Sequence, residues 1–448
     1  MFENEKKEQL TITLPRPVSR ILRVLEEAGF EAYAVGGCVR DTLLGRTPGD
    51  WDITTSAKPQ EVKKLFRRTI DTGIEHGTVT VMLHDEKREL VGYEVTTYRI
   101  DGEYLDGRHP KEVIFTPSLH EDLARRDFTI NAMAYSERAG IVDDYDGMAD
   151  LAARRIRAVG NAEHRFQEDA LRMLRAIRFS AQLDFEIEPE TLKAISVLAE
   201  NLHKVSKERI ATELTKLLLS KHPERLQLVF DTGLAPFVAA DFPRIAGNDV
   251  EAVHGEGALE NSDGSFENAK ILPKLSGALP EKKGLRWGML LRNLPDCTKR
   301  ILRELKLDND TIRYAERLGE LYRSPLPENE TEIRQQMSHY GTELYFDALA
   351  LRRALLPDVD NVFDAEAAAA RETLAALEKS GRKILVRGDC ISVGMLAVSG
   401  QDLMAVGIPK GPKIGRILQA LLQEVLADPS RNEKEQLLKR VREIAEAV

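Results

Sequence analysis

Two aspartates separated by a single residue, Asp50 and Asp52, follow a glycine pair, Gly36-Gly37, and Arg40 in the stretch VGGCVRDTLLGRTPGDWDITT. On an extended strand, residues two apart point to the same side. Both carboxylates then share one face while Trp51 and Ile53 turn toward the core. Carboxylates sharing a face repel, and they stay ionised cheaply only with a cation between them. Mg²⁺ accepts one or two carboxylates and completes its shell with water and substrate phosphates. The glycine pair lets the backbone turn sharply, with no Cβ in the way. A phosphate-sized turn beside a metal-binding pair is a pattern for nucleoside triphosphate chemistry.

Two later segments carry further candidates. Arg125-Arg126-Asp127 precedes the apolar and small stretch around Phe128, Ile130 and Ala132. It offers an arginine for a triphosphate, with Asp127 or Asn131 near the sugar. In residues 168–183, Leu171, Leu174, Ile177 and Ala181 form the core stripe of a helix. Asp169, Arg172, Arg175 and Arg178 recur every third position on the same helix. A carboxylate acceptor and guanidinium donors one turn apart can imitate a complementary base, as Asp169 with Arg172. Glu94 alternates with Val95 on a candidate strand, where it is either a third acid at the metal or a solvent-facing residue.

These residues need elements to position them. A helix is expected over 15–28, stopped by Gly29, followed by a buried strand over 32–35 that ends on the glycine turn. A short helix over 59–68 and strands over 78–81 and 93–98 complete an interleaved α/β region. Residues 99–115 combine Gly, Asp and Pro with Arg99, Tyr104, Asp106 and Arg108, which suits a loop closing over substrate. From Leu183 to about Lys383 only helical segments are expected, with 248–269 as a polar, glycine-rich linker. The turn over 407–415, with Lys410 and Lys413, leads into a helix over 416–426 and is a candidate phosphate seat.

At 448 residues the chain exceeds one core. Its net charge of −9 gives no global signature for nucleic acid, so any basic surface must be local. Cys38, Cys297 and Cys390 form neither a metal pattern nor a disulfide framework, which fits a reduced, cytoplasmic protein. The charged N-terminal segment is no signal peptide, and no apolar stretch approaches the roughly 20 residues of a membrane span.

The motifs resemble a known family. Gly36-Gly37-Cys38-Val39-Arg40-Asp41 with Asp50-Trp51-Asp52 is similar to the GGxVRD…DxD signature of class II tRNA nucleotidyltransferases and bacterial poly(A) polymerases, within the polymerase β-type superfamily. Residues 125–132 (RRDFTINA) and 168–179 (EDALRMLRAIRF) resemble two further motifs of these families, in the same order and spacing. The tail around residues 400–415 resembles the C-terminal domain of one bacterial subgroup of CCA-adding enzymes.

The resemblance implies an α+β nucleotidyltransferase head, a small mixed sheet with helices, followed by an all-α elongated neck, body and tail. The expected divisions are 1–150 (head), 151–245 (neck), 246–270 (linker or long loop), 271–380 (body) and 381–448 (tRNA-binding tail). It implies Mg²⁺ on Asp50 and Asp52, a triphosphate held by Gly36, Gly37 and Arg40 with Arg126 assisting, and CTP or ATP selected by Asp169 and Arg172. Arg175 and Arg178 would support the nucleotide and the RNA end. The implied reaction is template-independent addition of C, C and A to tRNA from CTP and ATP. The alternatives are an A-adding enzyme, a poly(A) polymerase or, in a different class, a silent RNA-binding scaffold. Residues 71–78 (DTGIEHGT) resemble the tRNA enzymes rather than the basic strand of the poly(A) polymerases. The resemblance sets no oligomeric state.

Overall fold

A computed structural model of the chain describes residues 12–101, 113–247, 274–357 and 365–447. Most of the expected closing loop and nearly all of the expected linker lie outside the described residues. The chain forms two compact units, dividing at Pro243/Arg244, with Glu304–Lys306 belonging to the first.

Among the described residues the first unit has eleven strands: β1 (Ala32–Val35), β2 (Ile53–Thr55), β3 (Thr69–Gly73), β4 (Thr78–His84), β5 (Leu90–Thr97), β6 (Arg99–Asp101), β7 (Val113–Phe115), β8 (Ala134–Ser136), β9 (Gly140–Val142), β10 (Arg155–Ile156) and β11 (Glu186–Ile187). Seven of them form one mixed sheet in the order β3-β4-β5-β2-β1-β8-β9. Only β2 and β5 run parallel in it. The pair β10–β11 is a two-residue parallel ladder whose second strand lies just past Leu183, where no strand is expected from the sequence.

Helix α1 (Arg16–Glu27) puts Val18, Ile21, Leu22 and Leu25 against this sheet, all buried. The helices α2 (Gly37–Leu43), α3 (Pro59–Leu65), α4 (Leu119–Ala124), α5 (Gly147–Ala152), α6 (Ala162–Glu168), α7 (Leu171–Leu183), α8 (Pro189–Leu198), α9 (Lys207–Leu218), α10 (Gln227–Asp231) and α11 (Ala235–Val238) complete the unit. The helix expected over 168–183 is thus two helices. Asp169 has an extended backbone (φ −140°, ψ 102°), so α6 ends at Glu168 and α7 starts at Leu171.

The second unit is helical: α12 (Lys283–Leu291), α13 (Thr298–Glu304, which contributes its last residue to the first unit), α14 (Asn309–Arg323), α15 (Glu330–Tyr340), α16 (Thr342–Ala354), α17 (Ala365–Arg387), α18 (Gly400–Ala405), α19 (Pro412–Ala427) and α20 (Lys434–Ala447). Sequence reading misses α12 because Gly284 and Gly288 weaken its helical propensity. Both glycines are there for packing against α14. A Cβ on Gly284 would meet Tyr314 at 2.7 Å, and one on Gly288 would meet Leu318 at 2.6 Å.

Arg286, on the same helix, is 1% exposed and makes no salt bridge among the described residues. Its guanidinium donates to the backbone carbonyls of Pro280, Ser276, Gly277 and Leu279, tying the preceding loop to the helix. Arg286→Met should therefore leave buried carbonyls unpaired and lower stability by roughly 3 kcal/mol or more. Thermal melting of the variant checks this, and an unchanged midpoint would show that the loop is held by other means.

Candidate active site

The two aspartates lie on the approach to β2 rather than within it, because β2 begins at Ile53. The β ladder nevertheless reaches Asp52, since the Val35 amide donates to its carbonyl at 3.0 Å. Ile53 is fully buried, whereas Trp51 is only half-buried, so one of the two expected core anchors is partial. The parallel register Ile53↔Val95 sets Asp52 beside Glu94 of β5.

Asp52 has acidic neighbours. Asp52's carboxyl is pushed up to about 6, chiefly by desolvation and then by Asp50, with Glu94 adding to the rise and Arg126 opposing it. Among the described residues no three His, Cys, Asp or Glu side chains cluster closely enough to cage a metal by themselves. The donor set is two hard carboxylate oxygens groups with a third acid alongside. That fits a hard divalent cation that takes its remaining ligands from phosphates and water.

The glycine turn adjoins this pair through β1. Gly36 has φ +82° and heads α2, a conformation that L side chains rarely adopt. A Cβ there would sit 3.0 Å from Nη1 of Arg126. Arg126 is only loosely held, by Asp122 at 3.4 Å, and its buried Nε has no partner among the described residues. It therefore has donors to spare beside both the turn and Asp52. Gly36→Ala should cost backbone strain of roughly 1–3 kcal/mol and displace Arg126. The expected readout is a several-fold higher KM for nucleoside triphosphate at unchanged RNA affinity, and an unchanged KM would count against a triphosphate at this turn.

Cys38, two residues along, is filler rather than nucleophile. Its Sγ contacts the Val35 carbonyl at 3.4 Å, and burial pushes the thiol up to about 11.

Behind the turn runs a continuous polar network. Arg40 pairs with Asp41 and donates Nη1 to Asn131 Oδ1 at 2.6 Å. Asn131 donates Nδ2 to Asp127 at 3.0 Å, and Arg175 donates to Asp127 at 2.8 and 2.6 Å. Burial alone would raise the Asp127 carboxyl. Arg175's charge and the bonds from Asn131 and Arg175 override it and hold the group well below the usual range. The expectation that Asp127 or Asn131 faces a sugar meets a structure in which both are engaged with protein. Arg178 is 6% exposed and pairs with Glu213 of α9 and with Gln182. The guanidinium carbons of Arg40, Arg175 and Arg178 stand 5.0, 5.4 and 3.9 Å from the Phe179 ring centre, a cation–π arrangement.

Asp169 and Arg172 flank the α6–α7 break, where the Arg172 amide donates to the Asp169 carbonyl at 3.0 Å and the two side chains have separate protein partners. Asp169 Oδ1 accepts from the Leu171 amide at 3.0 Å, and Oδ2 accepts from Arg209 of α9 at 2.7 Å. Arg172 donates to Glu168 at 2.6 Å and to the carbonyls of Arg165 and Arg125. The partners Glu168, Arg209 and Glu213 escape sequence reading. Arg209 and Glu213 lie four apart on α9, so their shared face is a legible signal, but its target on another helix is not. Asp122 is also missed. It is fully buried and accepts from Arg125, Arg126, Thr54 and the Arg99 amide. A carboxylate three and four residues before a double arginine is the cue that could have found it.

A mixed-sheet head with a carboxylate pair, a glycine turn and an arginine-rich helix defines a nucleotidyltransferase. Residues 32–157 match the family described as the poly A polymerase head domain. Residues 184–245 match the probable RNA- and SrmB-binding site of polymerase A, and 281–441 match tRNA nucleotidyltransferase domain 2. The CCA-adding enzyme of Levilactobacillus brevis is 38% identical over 95% of this chain and 96% of its own length. That of Limosilactobacillus fermentum is 38% identical over 97% and 99%. The structure of the Bacillus stearothermophilus CCA-adding enzyme in complex with CTP aligns with TM-score 0.73 and 34% identity, covering 96% of this chain and 97% of that one. The chain belongs to the CCA-adding enzyme family of nucleotidyltransferases. Among the described residues no helix is long and apolar enough to cross a membrane.

Proposed function

We propose that this protein adds C, C and A to the 3′ end of tRNA from CTP and ATP, with Mg²⁺ and without a nucleic-acid template. The carrying observation is the convergence of Gly36, Arg126 and Asp52 at the adjoining ends of β1 and β2. The RNA 3′-hydroxyl attacks the α-phosphorus, a new P–O bond forms and pyrophosphate leaves. Positioning and charge neutralisation supply most of the rate in such transfers.

Asp50 and Asp52 would hold the metal, which when bound neutralises phosphate charge and activates the hydroxyl. Gly36 and Gly37 seat the triphosphate, Arg126 donates to it, and Arg40 fixes the turn from behind while adding its charge. Asp169 and Arg172 select the base. Arg175 and Arg178 hold α7 in place through Asp127 and Glu213 and so support the nucleotide and the RNA end. Glu94 would be a third acid at the metal.

Residues 1–150 serve as the catalytic head and 151–245 as the neck. Residues 246–270 are the linker, 271–380 the body and 381–448 a tRNA-binding tail. Three buried, free cysteines suit the cytoplasm.

The test is incubation with tRNAs ending before CCA, after C and after CC, supplying CTP and ATP separately. CTP should extend the first two and ATP only the third. Adenosine addition to the CC end alone would mark an A-adding enzyme, and long A tails a poly(A) polymerase.

A further inference from the structure

The sheet face that carries Asp52 continues past it as a row of hydroxyls. Register puts Glu94 beside Asp52, Thr80 opposite Glu94 and Thr78 opposite Thr96, so these side chains share one face. Thr72 of β3 reaches the same face, its Oγ1 2.8 Å from that of Thr80, and Thr78 Oγ1 lies 3.0 Å from Thr96 Oγ1. The opposite face, with Ile53, Val79, Val81 and Val95, is core. Each hydroxyl has one proton to donate and two lone pairs. A pair of hydroxyls spends one proton on itself, which leaves one donor per pair for a third partner. Thr72 is exposed, and Thr78 and Thr96 are half-buried, so both spare donors can meet solvent or a ligand.

The sheet order says which ligand. The glycine turn and Arg126 flank β2 on its β1–β8 side. In a phosphoryl-type transfer, the attacking and leaving oxygens lie roughly in line. With the triphosphate on the β1 side, the attacking hydroxyl must arrive over β5, β4 and β3. Neutral hydroxyls there can bind ribose and phosphate oxygens without the lasting grip of a charged pair, which suits a strand that must shift after each addition.

We propose that Thr72–Thr80 and Thr78–Thr96 form a subsite for the ribose-phosphate backbone of the RNA end being extended. The inference rests on the reaction proposed above and names where its second substrate lies. Valine keeps the β-branched shape and removes only the hydroxyl. Thr72→Val and Thr78→Val should each raise the KM for tRNA ending before CCA roughly three- to tenfold, as expected for one lost neutral hydrogen bond. The KM for CTP should stay unchanged, and Thr72→Ser and Thr78→Ser should restore the tRNA KM. A tRNA with a 2′-deoxy terminal nucleotide assigns the contact within the backbone. If it abolishes the difference between wild type and variant, the hydroxyl meets the ribose. If the difference persists, it meets a phosphate. With wild-type extension in hand, an unchanged tRNA KM in both valine variants overturns the subsite alone. Parallel loss of tRNA KM, CTP KM and melting temperature that serine does not restore would reduce the threonines to sheet packing.

Discussion

Asp52→Asn should abolish nucleotide incorporation, by at least about a thousandfold in kcat/KM, while leaving the protein folded and able to bind tRNA. The magnitude follows from the loss of one of two carboxylates that would hold the metal, whose charge stabilisation is worth several kcal/mol at the transition state. The stability half of the expectation comes from the electrostatics of the site. Asp52's carboxyl is already pushed up to about 6 by desolvation and by Asp50, so its charge is a burden on the metal-free fold. Asparagine removes that burden without changing the side chain's size, and the metal-free melting temperature should hold or rise. Steady-state incorporation, tRNA gel shift and melting measured on one preparation check both halves. Residual incorporation within tenfold of wild type would place the chemistry elsewhere.

The second large effect is on selection. Asp169→Asn should weaken the choice between CTP and ATP roughly ten- to hundredfold, since a good bidentate side chain–base pair is worth about 1–3 kcal/mol of discrimination. Asparagine is the cleaner variant because its oxygen can still cap the Leu171 amide, which alanine would leave bare. Arg209 would lose its charge partner, so some loss of stability is expected as well. The discriminating readout is the ratio of kcat/KM for the two nucleotides on tRNA ending before CCA. A uniform fall for both, with the ratio kept, would make Asp169 a structural residue.

The residues proposed for metal and triphosphate were legible in the sequence because most of them are local. The glycine turn, the aspartate pair and the strands around them fall within about twenty positions, where period two and a positive-φ glycine leave few alternatives. The pair proposed to select the base, Asp169 and Arg172, was legible as residue types but not as geometry. Periodicity reads 168–183 as one helix, whereas Asp169 turns its backbone out of helical space, and only the docking of α9 explains where its carboxylate goes. Arg175 and Arg178 look like free readers in sequence because their partners, Asp127 and Glu213, lie 48 and 35 positions away.

In the second unit, the run KILV at 383–386 reads as a break, yet α17 carries straight through to Arg387. Its buried residues Leu377, Gly381 and Ile384 keep helical spacing, while Val386 is 88% exposed, so burial rather than β-branching decided the outcome. A short apolar run carries too little period to distinguish the two.

The most direct measurement is sequencing of 3′ ends after wild-type protein, Mg²⁺, CTP and ATP act together on a tRNA ending before CCA. The predicted products end in CCA and grow no further, and they are absent when Asp52 is asparagine. Ends extended by adenosines alone, or additions that persist in the Asp52→Asn protein, would contradict it.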